Sequence, residues 1–294
     1  MRDLITPRGI DDVELGQGGE PPGRPEPGLD IPDGSLDRSI PPRRIALVTG
    51  ASRGIGRGIA LGLAAAGAAV AVNYRRDEAA AADVVDQIRK TGGHAEAIQA
   101  SVSDTDGVAQ LTNETLKRFG GVDIVVLNAG VASRGLPIAE TTEEEVRHVV
   151  GTHALAAHEL IRRLLPTLRK APRADVIAIS SSELNHMRAN GAPYNMAKAA
   201  LEALALTLAR EEASNGIRVN IVAPGLVITD MGLRLIKAKL GIDNIAELDA
   251  AQPFKRVCRP EDVAAVVRML VSDPSAMVTG QRIIVDGGTD PLAD

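Results

Sequence analysis

From Arg44 onward, short runs of apolar residues alternate with stretches in which apolar positions recur every three or four residues. The short runs predict strands at Ile45–Val48, Ala69–Val72, Ala95–Gln99, Ile124–Leu127, Val176–Ile179, Arg218–Val222 and Ile283–Val285. The periodic stretches predict helices at Ile55–Ala66, Glu78–Lys90, Thr105–Phe119, Glu143–Leu165, Ala192–Ser214 and Glu261–Leu270. Local signals punctuate them. Thr142 with Glu145 forms a capping-box pattern, Gly92-Gly93 and Gly120-Gly121 close helices, and Pro260 suits a first helical position. Continuous apolar strands that alternate with helices imply an α/β fold: a seven-stranded parallel sheet covered on both faces. No internal repeat is present.

Residues 1–43 lack this pattern. They hold eight of the 17 prolines and seven of the 29 glycines, with few bulky apolar side chains. Such a segment cannot bury enough surface to offset its ordering entropy, so it is read as a flexible tail before a catalytic domain at 44–294. The 294-residue chain carries a net charge of −5 and no block of lysine or arginine. That leaves no electrostatic footprint for nucleic acid or an anionic membrane. Its longest near-apolar run, Ile59 to Val72, is too short and too rich in glycine and alanine to span a bilayer. The amino terminus lacks the apolar core of a signal peptide. The single cysteine, Cys258, excludes an internal disulfide and fits a packing role in a cytoplasmic protein.

Tyr194 and Lys198 stand four apart in an alanine-rich helical stretch, in a chain with only two tyrosines. Positions i and i+4 share a helix face, so a phenol and an ammonium meet there. The positive charge can stabilise a phenolate, which suits proton transfer in carbonyl reduction or alcohol oxidation. Taken alone, such a pair is more often a surface tyrosine with a solvated lysine. A second motif changes the balance. The first strand runs into Thr49-Gly50-Ala51-Ser52-Arg53-Gly54-Ile55-Gly56 and then a helix. Glycines there let backbone approach a pyrophosphate, and a helix amino terminus supplies free N–H groups. The second strand ends Asn73-Tyr74-Arg75-Arg76. Arg75 or Arg76, with Arg53, offers a bidentate fork for a 2′-phosphate where an acidic residue would favour ribose hydroxyls. The expected cofactor is therefore NADP(H) rather than NAD(H).

With these motifs in order, residues 44–290 resemble a short-chain dehydrogenase/reductase, close to the 3-oxoacyl-carrier-protein reductase branch. The resemblance rests on Thr49–Gly56, Asn128-Ala129-Gly130, Ser181 thirteen residues before Tyr194, Lys198, Pro224-Gly225 with Thr229, and Asp286-Gly287-Gly288. It implies a single Rossmann-type doubly wound domain. It also implies that Tyr194 exchanges a proton with the substrate oxygen, while Lys198 lowers the tyrosine pKa and bonds the nicotinamide ribose. Ser181 would hydrogen-bond the same oxygen, with Ser180 or Ser182 as substitutes if the register slips. Gly50, Ser52, Arg53, Gly54, Ile55, Gly56, Tyr74, Arg75, Asn128, Ala129 and Gly130 would surround the cofactor. Pro224, Gly225, Val227 and Thr229 would seat the carboxamide.

The chain departs from the family pattern twice. The asparagine expected before the serine strand, which fixes a water in a proton relay, falls on His153. Histidine titrates near neutrality and can hold a water, or it can simply pack between helices. An aspartate expected at the adenine is Ser101, followed by Val102, which could still pack on the ring. His148, His153 and His158 recur every five residues, a spacing that does not converge on a metal. Substrate choice is expected in a lid at about 226–255, where Met231, Leu233, Leu235, Ile236, Leu240 and Ile242 accompany Arg234, Lys237 and Lys239. The basic set suits an acidic carrier or a solvated surface. The leading function is NADPH-dependent reduction of a 3-oxoacyl thioester or similar ketone, with a place in fatty acid metabolism. Oxidation of a sugar or xenobiotic alcohol and a low-turnover cofactor-binding scaffold are the rivals. By resemblance the assembly is a homotetramer, and the long alanine-rich helices suit two-fold packing.

Overall fold

Seven strands run in parallel in the order β3-β2-β1-β4-β5-β6-β7. This is a computed structural model, and it describes residues 44–288. The tail expected at 1–43 and the last six residues of the expected catalytic domain lie outside the described residues. The strands are β1 (Ile45–Val48), β2 (Ala69–Tyr74), β3 (Ala95–Gln99), β4 (Ile124–Leu127), β5 (Ala174–Ile179), β6 (Ile217–Pro224) and β7 (Arg282–Val285). Each contains the run read from the sequence, with β2, β5 and β6 longer by two or three residues. The seven-stranded Rossmann-type sheet is as expected.

Successive side chains of a strand point to opposite faces, and both faces are covered. Ala46 and Val48 of β1 pack with α1 (Gly54–Ala65), α2 (Glu78–Lys90) and α8 (Pro260–Val271). Leu47, between them, faces α3 (Thr105–Phe119), α5 (Ala156–Leu168) and α6 (Ala192–Glu212). Leu47, Ile59, Ile124 and Leu164 are wholly buried. Each contributes roughly 1.5–3 kcal/mol of hydrophobic stabilisation. Such two-sided burial explains why the strands read as continuous apolar runs rather than alternating ones.

The chain winds outward from β1 through β2 to β3, then returns to place β4 on the other side of β1. The crevice beyond the carboxyl ends of β1 and β4 is thus the topological switch point, where open α/β sheets bind ligands. Cap chemistry sets the helix starts around it. Asp77, Asp104 and Thr229 accept from the first-turn N–H groups of α2, α3 and α7 (Asp230–Leu240). Only half of the expected capping box forms at α4 (Glu143–Val150). Thr142 accepts from the Glu145 N–H, while the Glu145 carboxylate accepts from the Arg134 N–H at 2.7 Å.

Two elements differ from the sequence reading. The long helix expected over 143–165 is α4 and α5 joined by one π-helical turn, Gly151–Leu155. The segment at 226–255 contains α7 and a 3₁₀ stretch, Ile245–Ala251. Its Ile236 and Ile245 form a small core with Val257 just beyond it, and Leu226, Ile228, Leu233, Ile242 and Leu248 pack against them. Among the described residues no helix is long and apolar enough to cross a membrane.

Candidate active site

The glycine turn after β1 is built for close approach. Gly50 and Gly54 adopt left-handed backbone, at φ 62° and 56°. A Cβ at Gly56 would lie 2.4 Å from the Gly50 carbonyl oxygen and 2.5 Å from Asn128 Nδ2, so glycine is required there. Asn128 Nδ2 donates to the carbonyls of Thr49 (2.8 Å) and Gly50 (3.2 Å). Thr49 Oγ1 receives the N–H groups of Asn128 and Ala129. The Asn128-Ala129-Gly130 turn thereby fixes the loop from the β4 side. Helix α1 begins at this turn with no side-chain cap and no acidic residue in its first turn. Its free N–H groups and positive pole therefore face the cradle, a donor set matched to a pyrophosphate. Arg53, Arg75 and Arg76 are exposed at the same edge, and Arg53 lies 4.0 Å from Asp230 at the start of α7.

Ser181, Tyr194 and Lys198 converge at the carboxyl end of β5. The Ser181 hydroxyl lies close enough to the Tyr194 phenol to favour its ionised form. Ser180 instead donates to Glu202 at 2.5 Å, so its hydroxyl is turned away from Tyr194 toward α6. Lys198, at 4% exposure, donates to the Ile179 carbonyl at 2.7 Å, and its Nζ sits 5.7 Å from the Tyr194 ring centre. Burial takes the Lys198 pKa down to about 7, opposed by the negative charge of Glu202. Burial pushes Tyr194 up to about 12; the Ser181 hydroxyl opposes this and Glu183 adds to it. The net shift is thus upward, set by desolvation of the phenolate rather than by Lys198.

His153 lies in the π turn at 3% exposure. Its ring meets Tyr194 edge-on at 5.6 Å. Nε2 accepts from the Val131 N–H at 3.1 Å and lies 2.9 Å from the Val131 carbonyl. Nδ1 is buried with no protein partner. A cavity of about 10 Å³ adjoins it, lined by Thr49, Val102, Leu127, Ala129, Thr152 and His153 among others. That is the size at which one water begins to fit. Burial, then the charge on Lys198, take its pKa down to about 3. The expectation that His153 titrates near neutrality is corrected: this imidazole stays neutral. It also explains Gly130, where a Cβ would come within 2.1 Å of the His153 ring.

Other expected cofactor residues divide. Thr229 caps α7 and brings its methyl to 3.3 Å from where a Gly54 Cβ would stand, so the Pro224–Thr229 segment closes over the glycine turn. Gly225 passes so close to Asp286 that a Cβ would lie 2.6 Å from it. Val227 is buried in the core that packs α1 and α8. Tyr74, expected at the cofactor, is packed in the α1/α2 core because its apolar ring ends β2 inside that layer. Ile55 also packs partly against this core, while Ser52 and Ala129 stay half-buried. Ser101 spends its hydroxyl on the Ser103 N–H at 3.1 Å, and Val102 packs inward. Lys237 in the expected lid pairs with Asp243 at 2.6 Å, so its charge is locally answered.

Several supporting groups were not read from the sequence. Buried Asn73 accepts from the Gly50 N–H and donates to the Ile98 and Ala100 carbonyls, tying the ends of β1, β2 and β3. Glu202 and Arg282 form a second anchor behind Ser181. An asparagine in an apolar strand was the available signal for the first. The others carry none, because their partners are distant in sequence.

A family model described as enoyl-(acyl carrier protein) reductase matches residues 50–290. The chain belongs to the short-chain dehydrogenase/reductase family, an oxidoreductase family. It is 37% identical over 246 residues to a 3-oxoacyl-[acyl-carrier-protein] reductase of Synechocystis, covering 83% of this chain and 96% of the relative. Among solved structures it is similar to the angucycline C-6 ketoreductase LanV with bound NADP. The identity is 35% and the TM-score 0.76, covering 84% of this chain and 95% of that one. A 7α-hydroxysteroid dehydrogenase in complex with NADH and 7-oxo glycochenodeoxycholic acid matches at 28% identity and TM-score 0.79, covering 88% and 98%.

Proposed function

We propose that this chain is an NADPH-dependent reductase that converts a ketone, a 3-oxoacyl thioester or a close analogue, to a secondary alcohol. The observation that carries the reading is the convergence of Ser181, Tyr194 and buried Lys198 at the carboxyl end of β5. The phenol carries its proton at neutral pH and can donate it to a substrate oxygen. Ser181 and Tyr194 together bond the substrate oxygen as negative charge develops on it, and Tyr194 then releases its proton to that oxygen. Lys198 would hold the ribose side of the nicotinamide and support the phenolate left behind. The cofactor, when bound, supplies the hydride that reaches the carbonyl carbon. The α1 amino terminus and the Gly50, Gly54 and Gly56 cradle would hold its pyrophosphate, and Arg53 with Arg75 or Arg76 its 2′-phosphate. NADP in the LanV complex supports that choice.

In the same reading His153 keeps a water on Nδ1 as part of the proton path behind Lys198. Residues 226–255 act as a substrate lid, with Met231 and Leu235 exposed on one face of α7. The enzyme works in the cytoplasm as a homotetramer, for which exposed Leu155, Met196 and Met269 supply apolar contact surface. One assay tests the core of the reading: NADPH and NADH oxidation over 3-oxoacyl thioesters, quinones, sugars and aliphatic ketones, with Tyr194→Phe beside the parent. The expected result is NADPH-preferring turnover of a 3-oxoacyl thioester that falls ~100- to 10,000-fold in Tyr194→Phe with NADPH affinity retained. Undiminished turnover in Tyr194→Phe would overturn it.

A further inference from the structure

Behind Ser181 and Lys198 lies a carboxylate–guanidinium pair that the proton-transfer scheme does not use. Glu202 stands one turn after Lys198 on α6, and α6 side chains lean toward the helix amino terminus, that is, toward Lys198. Its Oε1 accepts from Ser180 Oγ at 2.5 Å and from Arg282 Nε at 2.7 Å. Arg282, on β7, uses its remaining nitrogens on the loop after β5. One bonds the Ser181 carbonyl and the other Asn185 Oδ1, both at 2.9 Å. A single guanidinium thus connects the last strand to α6, to the end of β5 and to the 3₁₀ turn Ser182–Asn185. Both side chains are largely buried, at 14% and 23% exposure, where such pairs are screened little.

We propose that Glu202 and Arg282 are positioning residues, which hold the Ser181 segment against Tyr194 and together set the electrostatic field at Lys198. The proposal rests on the reading of Ser181, Tyr194 and Lys198 as the reacting groups. The geometry separates two functions. The planar fork of Arg282 fixes the Ser181 carbonyl and, through Ser180, the first residue beyond β5. The Glu202 carboxylate supplies the charge that opposes desolvation of Lys198. The other groups facing Lys198 are Tyr194 on its own helix, neutral His153 from the π turn and the Ile179 carbonyl of β5. Glu183, in the following turn, acts on Tyr194 and is ion-paired with Arg188. Glu202 is therefore the anion that answers Lys198, and Arg282 moderates it.

Opposite substitutions should then move Lys198 in opposite directions. Glu202→Gln removes a negative charge and lowers the Lys198 midpoint; Arg282→Met removes a positive charge and raises it. Arg282→Lys keeps the charge but loses the fork, so the midpoint holds while turnover falls. The test follows the Lys198 titration by 13Cε NMR of lysine-labelled protein, assigned with Lys198→Met. Acetoacetyl-CoA reduction by NADPH is measured in parallel from pH 5.5 to 9. The expected shifts are about one pH unit down for Glu202→Gln and a measurable rise for Arg282→Met. Turnover by Arg282→Lys should fall about tenfold, with NADPH affinity and the midpoint unchanged. NADPH binding by each variant reports that it is folded. A midpoint that stays put in Glu202→Gln, or moves the same way in both charge-removing variants, overturns the proposal. The titration needs no turnover, so it stands apart from the catalytic reading, which fails instead if Tyr194→Phe remains active.

Discussion

The two ends of the sheet treat buried charge in opposite ways. At the amino ends of the strands, Asp175 is wholly buried and its carboxylate meets Arg44 at 2.6 Å and Arg218 at 2.5 Å, with Arg173 at 3.5 Å. The surplus positive charge is answered by the last carbonyls of α8. Arg44 donates to Val271 at 2.8 Å, Arg218 to Leu270 at 2.7 Å and Arg173 to Val271 at 2.9 Å. Cations there sit on the negative pole of a helix. At the carboxyl ends, Lys198 is buried with one carbonyl acceptor and a pKa near 7, and His153 keeps an unpartnered nitrogen. One end balances its buried charges by ion pairs and a helix pole, although Arg44 Nε, Arg173 Nε, Arg218 Nε and Asp175 Oδ1 make no hydrogen bond there. The other leaves Lys198 on a carbonyl acceptor and His153 Nδ1 without a partner, where a cofactor and substrate would complete them.

The comparison breaks most visibly at Asp175. Asp175→Asn strands Arg44 and Arg218 in the interior, while Arg173 keeps Asp273, and should cost about 3–5 kcal/mol of stability in urea unfolding. Turnover per folded enzyme should stay near the parent value, because the cluster lies at the far edge from Tyr194. A loss below about 1 kcal/mol would mean that the cluster is not the structural lock described. Gly130→Ala is next in size. The new methyl meets the His153 ring and should cost about 1–3 kcal/mol by overpacking. Combining it with His153→Ala should restore part of that loss, since the clash is then gone. Strict additivity in the double variant would separate Gly130 from His153.

The smallest expected effect has the opposite sign. A lysine whose pKa falls from 10.5 to about 7 on folding keeps its proton more readily in the unfolded chain. Below pH 10.5 the unfolded state therefore gains, increasingly so down to about pH 7, and by a constant amount beneath that. Lys198→Met should accordingly raise stability at pH 7 by about 0.5–2 kcal/mol while abolishing turnover. The gain should shrink as the pH approaches 10.5. It stays below the full linkage value because the Ile179 carbonyl loses its donor. A Met variant that is less stable than the parent at pH 7 would remove the contrast between the two ends.

Legibility in the sequence followed the range of the interactions. The seven strands were readable because two-sided burial demands continuous apolar runs, and Ile45–Val48 and Ile124–Leu127 end where those runs end. The glycine turn and the Tyr194–Lys198 pair were readable because each is a local motif with its own spacing. What stayed hidden depends on partners far along the chain. Arg282 to Ser181 and Arg44 to Asp175 join residues about a hundred or more positions apart, and no local pattern marks them. The direction of the Tyr194 shift was hidden for a related reason. Charge proximity can be read from an i, i+4 spacing, whereas desolvation depends on everything that packs around the hydroxyl. Tyr74 was misplaced because the end of a strand does not reveal which layer its ring enters.

The π turn at Gly151–Leu155 also limits how this chain can tolerate changes in length. Helix α4 lies against α6, whereas α5 lies against α3. One rod serves both neighbours because the wide turn carries an extra residue and resets the phase between its two halves. A deletion of one residue here would heal the rod into a regular α-helix, because four α residues turn the chain about as far as the five of the wide turn. Leu160, Ile161 and Leu164 would keep their core positions, and the loss would fall on His153 and its contact with Val131. A deletion elsewhere in α4 or α5 would rotate everything downstream by about 100°. Single-residue deletions at 151–155 should therefore be the best tolerated along the rod. In this family member, register is a property of the helix as much as of the sheet.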